Sequence, residues 1–76
     1  MGRLRVLSGR ETCQILQQHG FREARRRGSH IVMQKVDPAT GTVTVPVPDH
    51  PELAIGTLLA IIRQSRVPRA AFETSQ

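Results

Sequence analysis

Arg25-Arg26-Arg27 runs directly into Gly28-Ser29-His30, so three guanidinium groups and two small residues precede a single imidazole. Cutting RNA without a metal requires a base to take the 2′-hydroxyl proton, an acid for the departing 5′ oxygen, and cations to balance the charge on phosphorus. An imidazole titrates near enough to neutrality to serve as that base, and neighbouring cations favour its uncharged form. His30 is therefore the candidate catalytic residue, placed at the mouth of a strand. Arg25, Arg26, Arg27 and Lys35 are the candidate cations for the phosphate. Gly28 would let the backbone come close to a ribose-phosphate, and Ser29 could hold the ring or a phosphate oxygen. A plainer account also fits these residues: an exposed ring on an ordinary strand, beside a solvated basic turn.

The other chemically capable side chains are fewer. His50, in a proline-rich stretch, is the second candidate, as acid or phosphate ligand, although a structural or solvated role suits it as well. His19 falls at a helix end, where capping is its expected role. Three histidines without clustered carboxylates offer no zinc or iron constellation, so neither metal nor cofactor is expected. Cys13 is the sole cysteine, which excludes an internal disulfide and a cysteine-based metal site, and its helical position makes it a core residue. There is no Gly-rich phosphate loop and no nucleophile elbow. With no Trp, no Tyr and only two Phe, the composition disfavours aromatic stacking platforms. Recognition is expected to run through phosphates and 2′-hydroxyls, with weak sequence preference and strong salt dependence.

The elements that must position these residues share a chain of 76 residues, enough for one domain over 1–76 and for a single core. Eleven Lys and Arg against six Asp and Glu give a net charge of +5, and all of those cations except Lys35 are Arg. Arg grips phosphate oxygens in pairs, so nucleic acid is the expected anionic partner, with an acidic protein as the alternative. No apolar run is long enough for a membrane span, and the start MGRLRVL lacks the apolar centre of a secretion signal, so residence in the cytoplasm with no membrane partner is expected.

Ser8-Gly9-Arg10-Glu11 has the S-x-x-E form of a helix start, and Gly20 supplies the left-handed residue that ends a helix near His19. Phe21 to Arg26 reads as a short strand, and Ser29 to Val36 as a β-branched one. Asp37-Pro38-Ala39-Thr40-Gly41 gathers hairpin-loop residues before Thr42-Val43-Thr44-Val45, which alternates with period two. The prolines at 46, 48 and 51 make 46–54 an irregular crossover. Leu58, Ile61, Ile62 and Ser65 then share one face of a second helix, stopped by Val67-Pro68, after which one further turn could fold Phe72 back onto the core. Residues 1–7 and 73–76 are expected to be frayed. The order predicts an α+β fold in two layers, α-β-β-β-α, with both helices on one face of a three-stranded antiparallel sheet, as in double-stranded-RNA-binding domains. Apolar residues at both parities leave the face of His30 open; the outer face is expected.

Several of these pieces together resemble the HicA-type (YcfA-like) toxins of bacterial toxin-antitoxin pairs. They are His19-Gly20-Phe21 at a helix end, Gly28-Ser29-His30 opening a strand, Val43 to Val47 with Pro46, Gly56-Thr57-Leu58 leading into Ile61-Ile62-Arg63-Gln64, and a final Phe72. The resemblance covers about residues 8–73. It implies a double-stranded-RNA-binding-like fold, mRNA cleavage that arrests translation, and a catalytic histidine at position 30. It further implies a HicB-type antitoxin lying over the His30 face of a toxin that is monomeric when free. His50-Pro51-Glu52-Leu53 is similar to a family segment that often carries another histidine, in more than one possible register. Ile55 stands where such toxins often have Lys. A non-catalytic RNA-binding module and a basic protein-interaction domain are the other readings the residues permit.

Overall fold

The computed structural model describes residues 2–74. In chain order these form α1 (Gly9–Gln18), β1 (Arg22–Arg27), β2 (His30–Asp37), β3 (Gly41–Pro48) and α2 (Ile55–Ser65), followed by a single 3-10 turn, Arg69–Phe72. The three strands make one antiparallel sheet in the order β1-β2-β3, with β2 in the centre. This is the predicted α+β architecture. Among the described residues no helix is long and apolar enough to cross a membrane.

Each helix starts and stops for local reasons. At α1 the Ser8 hydroxyl accepts the Glu11 N–H at 3.0 Å, and the Glu11 carboxylate accepts the Ser8 N–H at 2.8 Å, so two otherwise unpaired groups satisfy each other. Thr12 is fully buried, and its hydroxyl donates to the Ser8 carbonyl at 2.9 Å, which removes the cost of hiding it. His19 is the C-cap and Gly20 turns the chain with φ 94°. At the far end α2 closes on Arg66 with φ 61°, whose N–H bonds to the Ile62 carbonyl and whose guanidinium donates to Thr40 in the β2–β3 loop.

The core lies between the helices and one face of the sheet. Ile31 and Met33 of β2 and Val45 and Val47 of β3 point inward, where they meet Leu16, Leu58, Ile61 and Phe72. α2 lies against β3, and α1 touches both β3 and β1. Because both helices take the same face, no element among the described residues covers the other face of the sheet.

The N-terminal segment corrects an expectation. Residues 1–7 were expected to fray together with 73–76, yet Leu7 is 1% exposed within the core, and Leu4 bridges Glu73. The Arg5 N–H donates to the Phe72 carbonyl at 2.9 Å, and the Thr74 N–H to the Arg3 carbonyl at 2.8 Å. The 3-10 turn that buries Phe72 delivers residues 72–74 as a backbone partner for 3–5. Met1 and residues 75–76 lie outside the described residues.

One close approach sets the angle of α1. A Cβ at Gly9 would run into the carbonyl oxygen of Pro48, so the first turn of the helix is pressed against the end of β3. Ser8→Ala is expected to lower stability by about 1 kcal/mol. Gly9→Ala, although it improves helix propensity, should cost roughly 1–3 kcal/mol through this clash. Urea unfolding of the two variants checks both values, and a Gly9→Ala protein more stable than the parent would refute the close approach.

Candidate functional site

The geometry of the site begins at a two-residue turn. β1 ends at Arg27, β2 starts at His30, and these two residues are cross-strand partners, so Gly28-Ser29 is the whole connection. Gly28 has φ 57° and Ser29 does not share a positive φ, the pattern of a type II′ turn, whose twist suits the flanking strands. From this fixed point the pairing alternates. Arg27 with His30 and Arg25 with Val32 face away from the helices, while Arg26 with Ile31 faces the core side.

Beyond Arg25 the register shifts, with Glu23 opposite Met33 and Arg22 opposite Gln34. An unbroken ladder would have put Glu23 on the open face. The bulge replaces it there with Arg22 and leaves Glu23 on the side of Met33. The open face then carries Arg22, Arg25 and Arg27 from β1, His30, Val32, Gln34 and Val36 from β2, and Thr42, Thr44, Pro46 and Pro48 from β3. No strand residue on that face is a carboxylate.

Arg25, Arg27, His30, Val32, Thr44 and Pro46 line a shallow depression of about 360 Å³. Arg25, Arg27 and His30 are exposed, and neither arginine has an ion-pair partner among the described residues. His30 stands on the outer face, as expected. An exposed imidazole next to two unpaired guanidinium groups, with no carboxylate competing for them, can accept a proton from a bound hydroxyl while the cations hold an anion.

Arg26 has a different place. Its guanidinium donates to the Asp49 carboxylate at 2.8 Å, and Arg10 of α1 donates to the same oxygen at 3.2 Å. The Arg26 hydrogen bond, with the nearby charge of Arg10, holds the Asp49 carboxyl below its ordinary range. The Asp49 backbone N–H also donates to the Ser29 carbonyl at 2.7 Å. Asp49 therefore fastens the turn that presents His30 and draws Arg26 toward α1. Sequence reasoning missed Asp49, because its partners are remote along the chain and a lone Asp after a proline gives no pairing signal.

Of the sequence-derived candidates, Arg25, Arg27 and His30 come together, with Gly28 and Ser29 in the turn at one end. Gly28 has open space around its Cα, so its φ requires glycine and crowding does not. Lys35 is a correction to the expected reach. It alternates to the opposite face, where its ammonium sits 5.9 Å from the centre of the Phe21 ring, because odd-numbered residues of β2 point toward the helices. His50 is exposed and does not line the depression; its carbonyl accepts the Gly9 N–H. His19 caps α1 as expected, its ring Nδ1 lying 3.1 Å from the Ile15 carbonyl oxygen. Cys13 is buried, and burial pushes its thiol up to about 11, which leaves little of the reactive thiolate. Among the described residues no three His, Cys, Asp or Glu side chains gather where they could hold a metal ion.

In comparison with known proteins, residues 9–67 match the family model described as HicA toxin of bacterial toxin-antitoxin. No curated protein matches the chain.

The three carboxyls held low share one consequence. Glu11 is lowered first by the Ser8 backbone N–H, Asp37 by that of Ala39, and Asp49 by the Arg26 side chain. Because each folded value lies below the unfolded one, their contribution is fully present above the ordinary carboxylate range and is lost as pH falls through the lowered values. Thermal unfolding followed by circular dichroism should give a midpoint that falls on acidification below that range. Asp49→Asn should shrink the fall, and a midpoint that rises in acid would contradict the assignment. Gly28→Ala should cost about 1–2 kcal/mol at neutral pH, from its left-handed backbone.

Proposed function

The chain belongs to the HicA toxin family of bacterial toxin-antitoxin systems, so an antitoxin is its partner, and we propose that it is a metal-independent endoribonuclease with His30 as general base. It cleaves mRNA in the cytoplasm and so arrests translation when the antitoxin is lost. The observation that carries this reading is the exposed imidazole of His30 beside the unpaired Arg25 and Arg27 on a face without carboxylates.

In this mechanism His30 takes the proton of a ribose 2′-hydroxyl as its oxygen attacks the adjacent phosphorus. The P–O5′ bond breaks, leaving a 2′,3′-cyclic phosphate on one product and a 5′-hydroxyl on the other. Arg25 and Arg27 balance the charge that builds on the phosphoryl oxygens, where cations are most effective. Among the described residues no second imidazole and no carboxyl lines the depression, so the 5′ oxygen draws its proton from the imidazolium or from water. Gly28 and Ser29 leave the backbone accessible at the turn, and Arg22 extends the cationic track along β1. A HicB-type antitoxin would stop the reaction by covering this face.

Purified protein is expected to shorten RNA in the presence of EDTA and to leave cyclic phosphate ends. His30→Ala should lower the cleavage rate by about 100-fold or more, in line with removal of a positioned base, while RNA binding persists. Arg25→Gln and Arg27→Gln should reduce both cleavage and the salt dependence of binding, each more than Arg26→Gln does, because Arg26 is engaged with Asp49. Unchanged cleavage by His30→Ala would refute the role of the imidazole. Salt-sensitive retention of RNA with no new ends would leave only a binding module.

A further inference from the structure

We propose that the depression on the open face is a subsite for one unpaired nucleobase, so that the substrate at the point of cleavage is single-stranded RNA. The proposal rests on the ribonuclease reading of the same face and deepens it. The base would lie on Pro46, over the covered Val32, with the guanidinium planes of Arg25 and Arg27 against it and the Thr44 hydroxyl at its edge.

The floor is what phosphate binding alone leaves unexplained. Val32 is 4% exposed yet stands apart from the core cluster, because it points away from the helices. It is covered from the open side, where its neighbours across the strands are Arg25 and Pro46. Pro46, which is exposed beside the covered Val32, offers apolar surface from which a phosphate gains nothing and the face of a base does. The depression, about 360 Å³, sits at the small end of the ~300–1,000 Å³ typical of ligand pockets, a size for one nucleotide and not for a groove-spanning helix.

The form of the nucleic acid follows from the shape. A-form duplex keeps its base faces stacked inside and presents phosphates and ribose, so it has no flat apolar surface to set on Pro46. An unpaired base does. Planar guanidinium groups stack on bases as aromatic rings do, and those of Arg25 and Arg27 have no carboxylate to hold them elsewhere. The scarcity of aromatic residues, which argued against base stacking, is thereby offset by arginine and proline. Since His30 lines the same depression, a seated base brings its own or a neighbouring ribose to the imidazole.

The test compares one oligoribonucleotide as a single strand, as a full duplex, and with single abasic sites flanking a mapped cleavage bond. The wild-type chain should cut the duplex at least about five-fold more slowly, and an abasic site on one side of the bond should suppress cleavage there by a similar factor, the weight of one stacked base. Val32→Thr keeps the shape of the floor but adds a hydroxyl, and should narrow the preference for single strand over duplex while the circular dichroism spectrum stays unchanged. Equal cutting of duplex and single strand, with no effect of any abasic site, would overturn the subsite and leave the nuclease intact. If nothing is cut, the nuclease reading falls, and fluorescence anisotropy decides the subsite separately: tighter binding of the single strand supports it, and equal or tighter binding of duplex refutes it.

Discussion

The positive φ of Gly28 is the constraint on which the arrangement depends. It permits a turn of only two residues, and a turn that short leaves no freedom in register: Arg27 must face His30. Once that pair is fixed, the period of two along each strand assigns every side chain to a side. A single added residue in the turn would send His30 and its arginines to opposite faces or misalign them. Asp49 reinforces the same point from outside, by donating its N–H to the Ser29 carbonyl. The local geometry of the turn thus does for the site what a longer, rigid scaffold does in larger proteins.

Charge is then sorted by side. On the helix side, Asp49 takes up both Arg26 and Arg10, and Lys35 lies over Phe21. On the open side the bulge in β1 removes Glu23 and supplies Arg22. A run that looks uniformly basic in sequence is divided in space: Arg26 ties strand to helix, and Arg25 and Arg27 have no carboxylate partner among the described residues. Exposed ion pairs contribute little to stability, so the significance of the Asp49 cluster lies in orientation more than in energy.

Much of this was legible in the sequence, for physical reasons that are specific to each element. The capping box at Ser8 and Glu11, the turn chemistry of residues 37–41 and the stop at Pro68 are local signals, and local signals survive folding. The match of residues 9–67 to the toxin family agrees with the motifs that suggested it. What could not be read was long-range or depended on counting through an irregularity. The bulge between Glu23 and Arg25 changes which face a residue occupies, and REARRR contains no glycine or proline to announce it. The docking of Leu4 and Leu7 depends on Phe72 at the other end of the chain. Arg26 and Lys35 seemed equivalent to Arg25 and Arg27 as cations, and only the alternation of faces separates them.

A chain this short has two helices for its three strands, and they cover one face. The uncovered face must live in water, which explains its Arg, His, Gln, Thr and Pro residues without any appeal to function, and a singly exposed Val36 at its far end is ordinary for a surface. Solubility does not bear on Val32, which its neighbours cover and where a polar group would be hidden from water. Nor does the core explain it, because the side chain points the other way. A nearly covered apolar side chain among unpaired arginines, beside the only imidazole on the face, is the arrangement that a base and its phosphate would complete together. For that reason the proposed base subsite and the proposed cleavage share one depression, with Val32 as the residue whose change separates them.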